Sequence, residues 1–241
     1  MRKHIPNIFT SLNLLTGCAG IYYVAEINLR MAALLIFIAA VLDFADGFSA
    51  RLLKAYSNIG KSLDSLADLV SFGILPGFLL MKLLLNLTVT GNDPDILSSH
   101  GVYYYLVILG PLLIPLASAI RLAKFDNDPA QLWNFRGLPT PANAIFIASY
   151  VWSASEDIQH ISFIYNSHFI FFLTILLSFL LISPLMFLSI KFKSYGFREN
   201  FARYLIIAIT TASLIIWKVP GIMIGMVCYA IISQFDGIKR K

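Results

Sequence analysis

Residues 43–68 read D-F-A-D-G-F-S-A-R-L-L-K-A-Y-S-N-I-G-K-S-L-D-S-L-A-D. Four aspartates, Asp43, Asp46, Asp64 and Asp68, fall within these 26 residues. On a helix, residues three or four apart share a face. Asp43, Asp46, Gly47 and Ala50 therefore line one side of a first helix. Gly60, Asp64 and Asp68 line one side of a second. A short turn near Ser57 and Asn58 separates them. Each helix thus presents two carboxylates beside small residues.

Outward from this stretch the chain is apolar. Of its 241 residues 58% are hydrophobic and 13% charged, against roughly a quarter charged in a soluble domain. The mean hydropathy is +0.77. The composition predicts an all-α polytopic membrane protein built as a single domain over 1–241. Spans are expected near 8–25, 31–54, 61–86, 102–124, 142–156, 167–191, 201–217 and 219–236. That is about eight helices, with a six-helix catalytic core over about 1–191 and a C-terminal helix pair over about 199–236. The first apolar segment could be mistaken for a signal peptide, but it is expected to stay as a span.

Charge placement orients these spans. With both termini cytoplasmic, fifteen of the eighteen Lys and Arg residues fall inside. Only Arg30, Lys82 and Lys218 fall outside. This positive-inside bias puts the aspartates at the cytoplasmic ends of helices two and three. It also explains the net charge of +5 without nucleic acid as a partner. Asp93, Asp95, Glu156 and Asp157 are expected in solvated outer loops. Cys18 and Cys228 lack metal-ligand spacing and read as packing residues. The four histidines are scattered and take structural or solvated roles.

Carboxylates in lipid cost a few kcal/mol each, and clustered ones repel. Divalent Mg²⁺ or Mn²⁺ relieves both problems, because hard cations prefer carboxylate oxygen. Two such ions can clamp an in-line displacement at phosphorus. Arg51, one turn after Gly47, could neutralise a diphosphate, although a plain topological anchor is the simpler role for a lone arginine. A carboxylate base would help an alcohol attack, and the residues alone do not separate Asp68 from Asp46 in that part.

The full pattern is D-x2-D-G-x2-A-R-x8-G-x3-D-x3-D, met at Asp43, Asp46, Gly47, Ala50, Arg51, Gly60, Asp64 and Asp68. It resembles the signature of the CDP-alcohol phosphatidyltransferases. The resemblance spans the first six helices and implies an enzyme that moves a phosphatidyl group from a CDP-linked lipid to an alcohol, releasing CMP. It implies two ions per active site. Asp43, Asp46 and Asp64 would hold one; Asp43, Asp64 and Asp68 would hold the other. Asp68 would be the general base. Gly47, Arg51 and Ser57 would contact the CDP-lipid beside Ala50 and Gly60. Pro6, Asn7, Ile8 and Phe9, with Thr10 and Asn13, would close over the nucleotide. The resemblance implies a homodimer as well, while the size of the chain fits a bacterial or archaeal plasma membrane and the charge bias puts the active site on the cytoplasmic side.

A second cluster bears on the acceptor. It runs R-L-A-K-F-D from Arg121 to Asp126, then F-R-G-L-P-T-P-A from Phe135 to Ala142. Arg121 and Lys124 share a helix face and could hold an anion, or they could simply snorkel. Gly137 to Pro141 form a rigid turn. The cluster is similar to the second motif of the membrane-integral phosphatidylserine synthases of that family, although Lys124 and Asp126 depart from its usual Arg and Asn. It implies L-serine as acceptor and CDP-diacylglycerol as donor. Arg121, Lys124, Asp126, Gly137 and Pro139 would then face the serine, with Asp126 free to pair with its ammonium group. Glycerol 3-phosphate is the rival acceptor. An ion-coupled transporter is the rival outside enzymes, but its acids usually gather near the bilayer midplane.

Overall fold

The computed structural model describes residues 5–55, 57–89, 101–127, 135–154, 164–188, 196–197 and 200–239. The expected outer-loop acids Asp93, Asp95, Glu156 and Asp157 lie outside them, as do Lys191, Lys193 and Arg198.

Helix α1 covers Ile5–Ala25 and α2 covers Leu29–Leu53. Pro6 sits in the first turn of α1, where its missing N–H costs nothing. The Asn28 side chain caps α2 by accepting from the Met31 amide at 3.1 Å. Lys54 ends α2 in the left-handed conformation, φ 49°. Ser57 then caps α3, Asn58–Asp68, by accepting from the Gly60 amide at 3.0 Å. The turn predicted near Ser57 is therefore a cap-to-cap connection.

The third rod continues through a π-helical turn, Leu69–Ile74, into α4, Leu75–Val89. Pro76 offers no N–H to the Phe72 carbonyl, and its ring would press on it. The wider π turn just before Pro76 accommodates both effects. The fourth rod joins α5, Val102–Leu109, to α6, Leu113–Asn127, through a 3₁₀ turn at Gly110–Leu112. Then follow α7, Thr140–Ala154, α8, Ser167–Ile182, α9, Phe201–Trp217, and α10, Pro220–Lys239. Each predicted span thus has a helical rod among the described residues.

The rod expected over 167–191 is shorter than predicted. It stops at Ile182, because Pro184 forces Ser183 into extended backbone, φ −65° and ψ 153°. The chain after it forms a two-residue strand, β2 (Met186–Phe187), antiparallel to β1 (Phe135–Arg136). Apolarity alone did not reveal this break.

α1 packs along α2, α3 and the π turn. Small residues make that approach possible: a Cβ on Gly17 would lie 2.4 Å from Ser71 Oγ and 3.0 Å from Ser71 Cα. α7 sits against α2, the π turn and α10, and α6 against the π turn and α8. Ile36, Phe72, Leu75, Leu79, Ile114, Ile147 and Ile170 fill the core completely. Large apolar residues such as Phe44, Phe48, Leu106, Phe172 and Phe179 face outward, as a lipid-facing belt requires. Among the described residues, four helices are long and apolar enough to cross a membrane: Ile5–Ala25, Leu29–Leu53, Ile59–Thr88 and Val102–Asp126. The chain is an all-α polytopic membrane protein.

Candidate active site

The two aspartate-bearing faces meet. One carboxylate oxygen from each of Asp43, Asp64 and Asp68 lies within 4.8 Å of the others. α2 supplies the first and α3 the other two, one turn apart. Asp64 Oδ1 and Asp68 Oδ1 are buried without a hydrogen-bond partner. Orphaned acceptors crowded with like charge suit a divalent cation, which supplies the missing partner and cancels the repulsion. Asp46 is buried as well and interacts directly with Asp64. Its Oδ2 accepts from the Thr10 hydroxyl at 2.7 Å. That bond ties α1 to the carboxylate cluster.

Beside Asp46 and Asp64 opens a cleft of about 240 Å³. Pro6, Asn7 and Thr10 form its α1 wall, Gly47 and Ala50 its α2 wall, and Ser57 and Gly60 its α3 wall. A Cβ on Gly47 would meet nothing within 4 Å, so the α2 backbone is open to a ligand at that point. Asn13 is fully buried one turn below Thr10, with both amide atoms unpartnered. The backbone carbonyl of Asn13 accepts from Ser71 Oγ at 3.0 Å. Phe9 is half-buried, Ile8 is 57% exposed, and neither lines the cleft. Arg51 is exposed, and its Nε donates to the Gly47 carbonyl at 2.9 Å.

Two lining residues escaped the sequence reading, Ala55 and Lys61. Lys61 sits three residues before Asp64, and that spacing was the available signal. Its Nζ donates to the Asp126 carbonyl at 2.8 Å and lies 3.6 Å from the Asp126 carboxylate. Ser65 Oγ donates to Asp126 Oδ2 at 2.7 Å. Asp126 is thus turned toward α3 and locks the end of α6 to it.

The second cluster divides. Arg121 is buried, and its Nη1 donates to Thr140 Oγ1 at 3.2 Å. Its charge acts on Asp68 and on Tyr229 of α10. Lys124 is exposed. Gly137 has φ +80°, and its amide donates to the Leu185 carbonyl at 2.9 Å. A Cβ there would come 2.2 Å from the Leu181 carbonyl oxygen. Leu138 N donates to the Leu180 carbonyl at 2.9 Å. The Pro139 carbonyl accepts from Asn143 N at 3.0 Å in the first turn of α7. Gly137 and Pro139 thereby set where α7 begins, and so where Thr140 meets Arg121.

The family model described as CDP-alcohol phosphatidyltransferase matches residues 3–180. The chain belongs to the CDP-alcohol phosphatidyltransferase family. The match takes in the cleft, the carboxylate cluster and the Arg121–Thr140 contact. A CDP-diacylglycerol–serine O-phosphatidyltransferase of Bacillus subtilis is 31% identical over 189 residues, 78% of this chain and 92% of that protein. A protein of the same name from Mycobacterium leprae is 33% identical over 150 residues, 59% of this chain and 45% of that protein. An archaetidylserine synthase of Methanothermobacter thermautotrophicus is 28% identical over 148 residues, 61% of this chain and 57% of that protein. The chain spans about half the length of these last two relatives.

Proposed function

We propose that this protein transfers the phosphatidyl group of CDP-diacylglycerol to L-serine, giving phosphatidylserine and CMP. The convergence of Asp43, Asp64 and Asp68 beside a cleft with open backbone at Gly47 carries the reading. The names of the relatives point to serine as the acceptor.

In this reading the nucleotide end of the donor enters between Pro6, Asn7 and Thr10 on one side and Gly47, Ala50, Ser57 and Gly60 on the other. Lys61 lines the cleft and Arg51 is bonded to the carbonyl of its wall residue Gly47, so both cations would counter the diphosphate charge. Asp43, Asp46 and Asp64 would hold one Mg²⁺ or Mn²⁺, and Asp43, Asp64 and Asp68 a second. Bound cations would neutralise the diphosphate and the charge developing on departing CMP. Asp68 accepts the serine hydroxyl proton. The serine oxygen then bonds to the lipid-linked phosphorus while the bond from that phosphorus to the CMP oxygen breaks. Arg121, whose charge acts on Asp68, orients the acceptor.

The same reading places the cleft and both termini on the cytoplasmic side of a plasma membrane, and the protein in a homodimer. The excess of Lys and Arg in the inward loops supports that orientation.

The test is CMP release by purified protein with CDP-diacylglycerol and Mg²⁺ or Mn²⁺. L-serine, glycerol 3-phosphate and inositol phosphate are offered in turn. Release with serine alone is the expected result. Release only with another alcohol would keep the carboxylate cluster and overturn the serine assignment. No release with any acceptor would overturn the transferase reading itself.

A further inference from the structure

Ser118, Arg121, Thr140 and Asn143 are all buried. Ser118 and Arg121 are three apart on α6, so they share a face, and Thr140 and Asn143 do the same on α7. The Arg121–Thr140 bond brings the two faces together. Ser118 lies against the π turn that follows Asp68, since a Cβ on Gly73 would come 3.0 Å from Ser118 Cβ. Several groups in this set have no partner: Ser118 Oγ, Arg121 Nε, and both Asn143 amide atoms. Ser118 and Asn143 are 0% exposed. Burying an amide with neither end satisfied is costly, so a residue kept only for packing would be apolar here.

The unmet groups have a definite chemistry. Arg121 Nε–H, the Ser118 hydroxyl and the Asn143 NH₂ are donors for a carboxylate. Asn143 Oδ1 is an acceptor for an ammonium group. Asp68 lies on the side where the acceptor hydroxyl must react. Lys124 is exposed, and Asp126 is held by Ser65 and Lys61.

We infer that Ser118 and Asn143, with Arg121, form the pocket that recognises the acceptor as a zwitterionic amino acid. Asn143 reads the ammonium group, and Ser118 helps hold the carboxylate. This inference rests on the serine reading above. Glycerol 3-phosphate has no ammonium group and would leave Asn143 Oδ1 unsatisfied, which is a strong basis for rejection.

The experiment pairs Asn143→Leu with Ser118→Ala in the full-length protein. It follows CMP release, equilibrium binding of radiolabelled L-serine, and thermal unfolding. Leu keeps the branching of Asn and removes the unmet amide, which offsets the extra volume of its methyls, so Asn143→Leu is expected to be about as stable as wild type. Its KM and Kd for serine are expected to rise about tenfold or more, with KM for CDP-diacylglycerol within about twofold. Its preference for serine over 3-hydroxypropionate, which lacks the ammonium group, is expected to shrink. Asn143→Ser replaces it should the leucine variant not accumulate in membranes. Serine affinity and discrimination unchanged in both positions would overturn the inference. Failure of the serine reading itself would show in the wild type, as absence of CMP release with serine.

Discussion

The Thr10 hydroxyl donates to Asp46 Oδ2 at 2.7 Å, joining two helices across 36 positions of sequence. The same hydroxyl lies 3.1 Å from the Pro6 carbonyl, an ordinary contact within its own helix. The bond to the carboxylate is the stronger, because its acceptor is charged. It holds Asp46 at the boundary between the cleft and the carboxylate cluster. The α1 wall and the ion-binding groups thus form one unit.

Thr10→Val should therefore weaken the enzyme without unfolding it. Hydrogen bonds to charged groups contribute about 1.5–3 kcal/mol, so kcat/KM for CDP-diacylglycerol is expected to fall about tenfold to a hundredfold. Thr10→Ser should recover most of it. Steady-state CMP release on the three proteins decides this; equal values would show that the bond is incidental.

Asp68→Asn keeps the size of the side chain and removes the base. Loss of a positioned base typically costs about 10²- to 10⁴-fold. Transfer is expected to fall by that amount, while the variant still inserts and still binds CDP-diacylglycerol. Turnover near wild type would remove Asp68 from the role.

Chelation tests the cluster as a whole. Removing divalent ions should abolish CMP release, and Mg²⁺ or Mn²⁺ should restore it. Binding to the folded form alone raises stability by mass action, by about 2.7 kcal/mol at a hundred times Kd. Unfolding in detergent should thus move to higher temperature with added Mn²⁺ in wild type. Asp43→Asn and Asp64→Asn should lose most of that response. A shift of equal size in the variants would place the ions elsewhere.

Gly47 and Gly137 separate ligand access from folding. A Cβ at Gly47 meets nothing within 4 Å, so Gly47→Ala should gain about 0.5–1 kcal/mol of helix stability. It should nevertheless raise KM for CDP-diacylglycerol, because the backbone can no longer be approached. At Gly137 the added Cβ would strike the Leu181 carbonyl at 2.2 Å with φ at +80°. Gly137→Ala is expected to cost about 1–3 kcal/mol. Thermal unfolding and CMP release measured together should show the two substitutions moving in opposite directions of stability.

The positions along each helix were legible in the chain itself. A 3.6-residue period puts Asp43 with Asp46, and Asp64 with Asp68, in any helix that forms. Apolar content made those helices membrane spans, and the regular spacing of the signature pointed to the family. Pro184 was read through, because the apolar run over 167–191 hid both the break at Ser183 and the strand that follows it. What tertiary structure alone decided were the contacts between rods: Thr10 with Asp46, Ser65 and Lys61 with Asp126, and Arg121 with Thr140. Asp126 looked free to meet a substrate in the sequence, yet it is occupied by α3. Asn143 was not singled out in the sequence, yet it is fully buried with its amide unmet. The physical reason is one of range. Helical periodicity sets which residues share a face, whereas which faces meet depends on packing among rods far apart in sequence. Close approaches, such as that of Gly17 to Ser71, settle that packing.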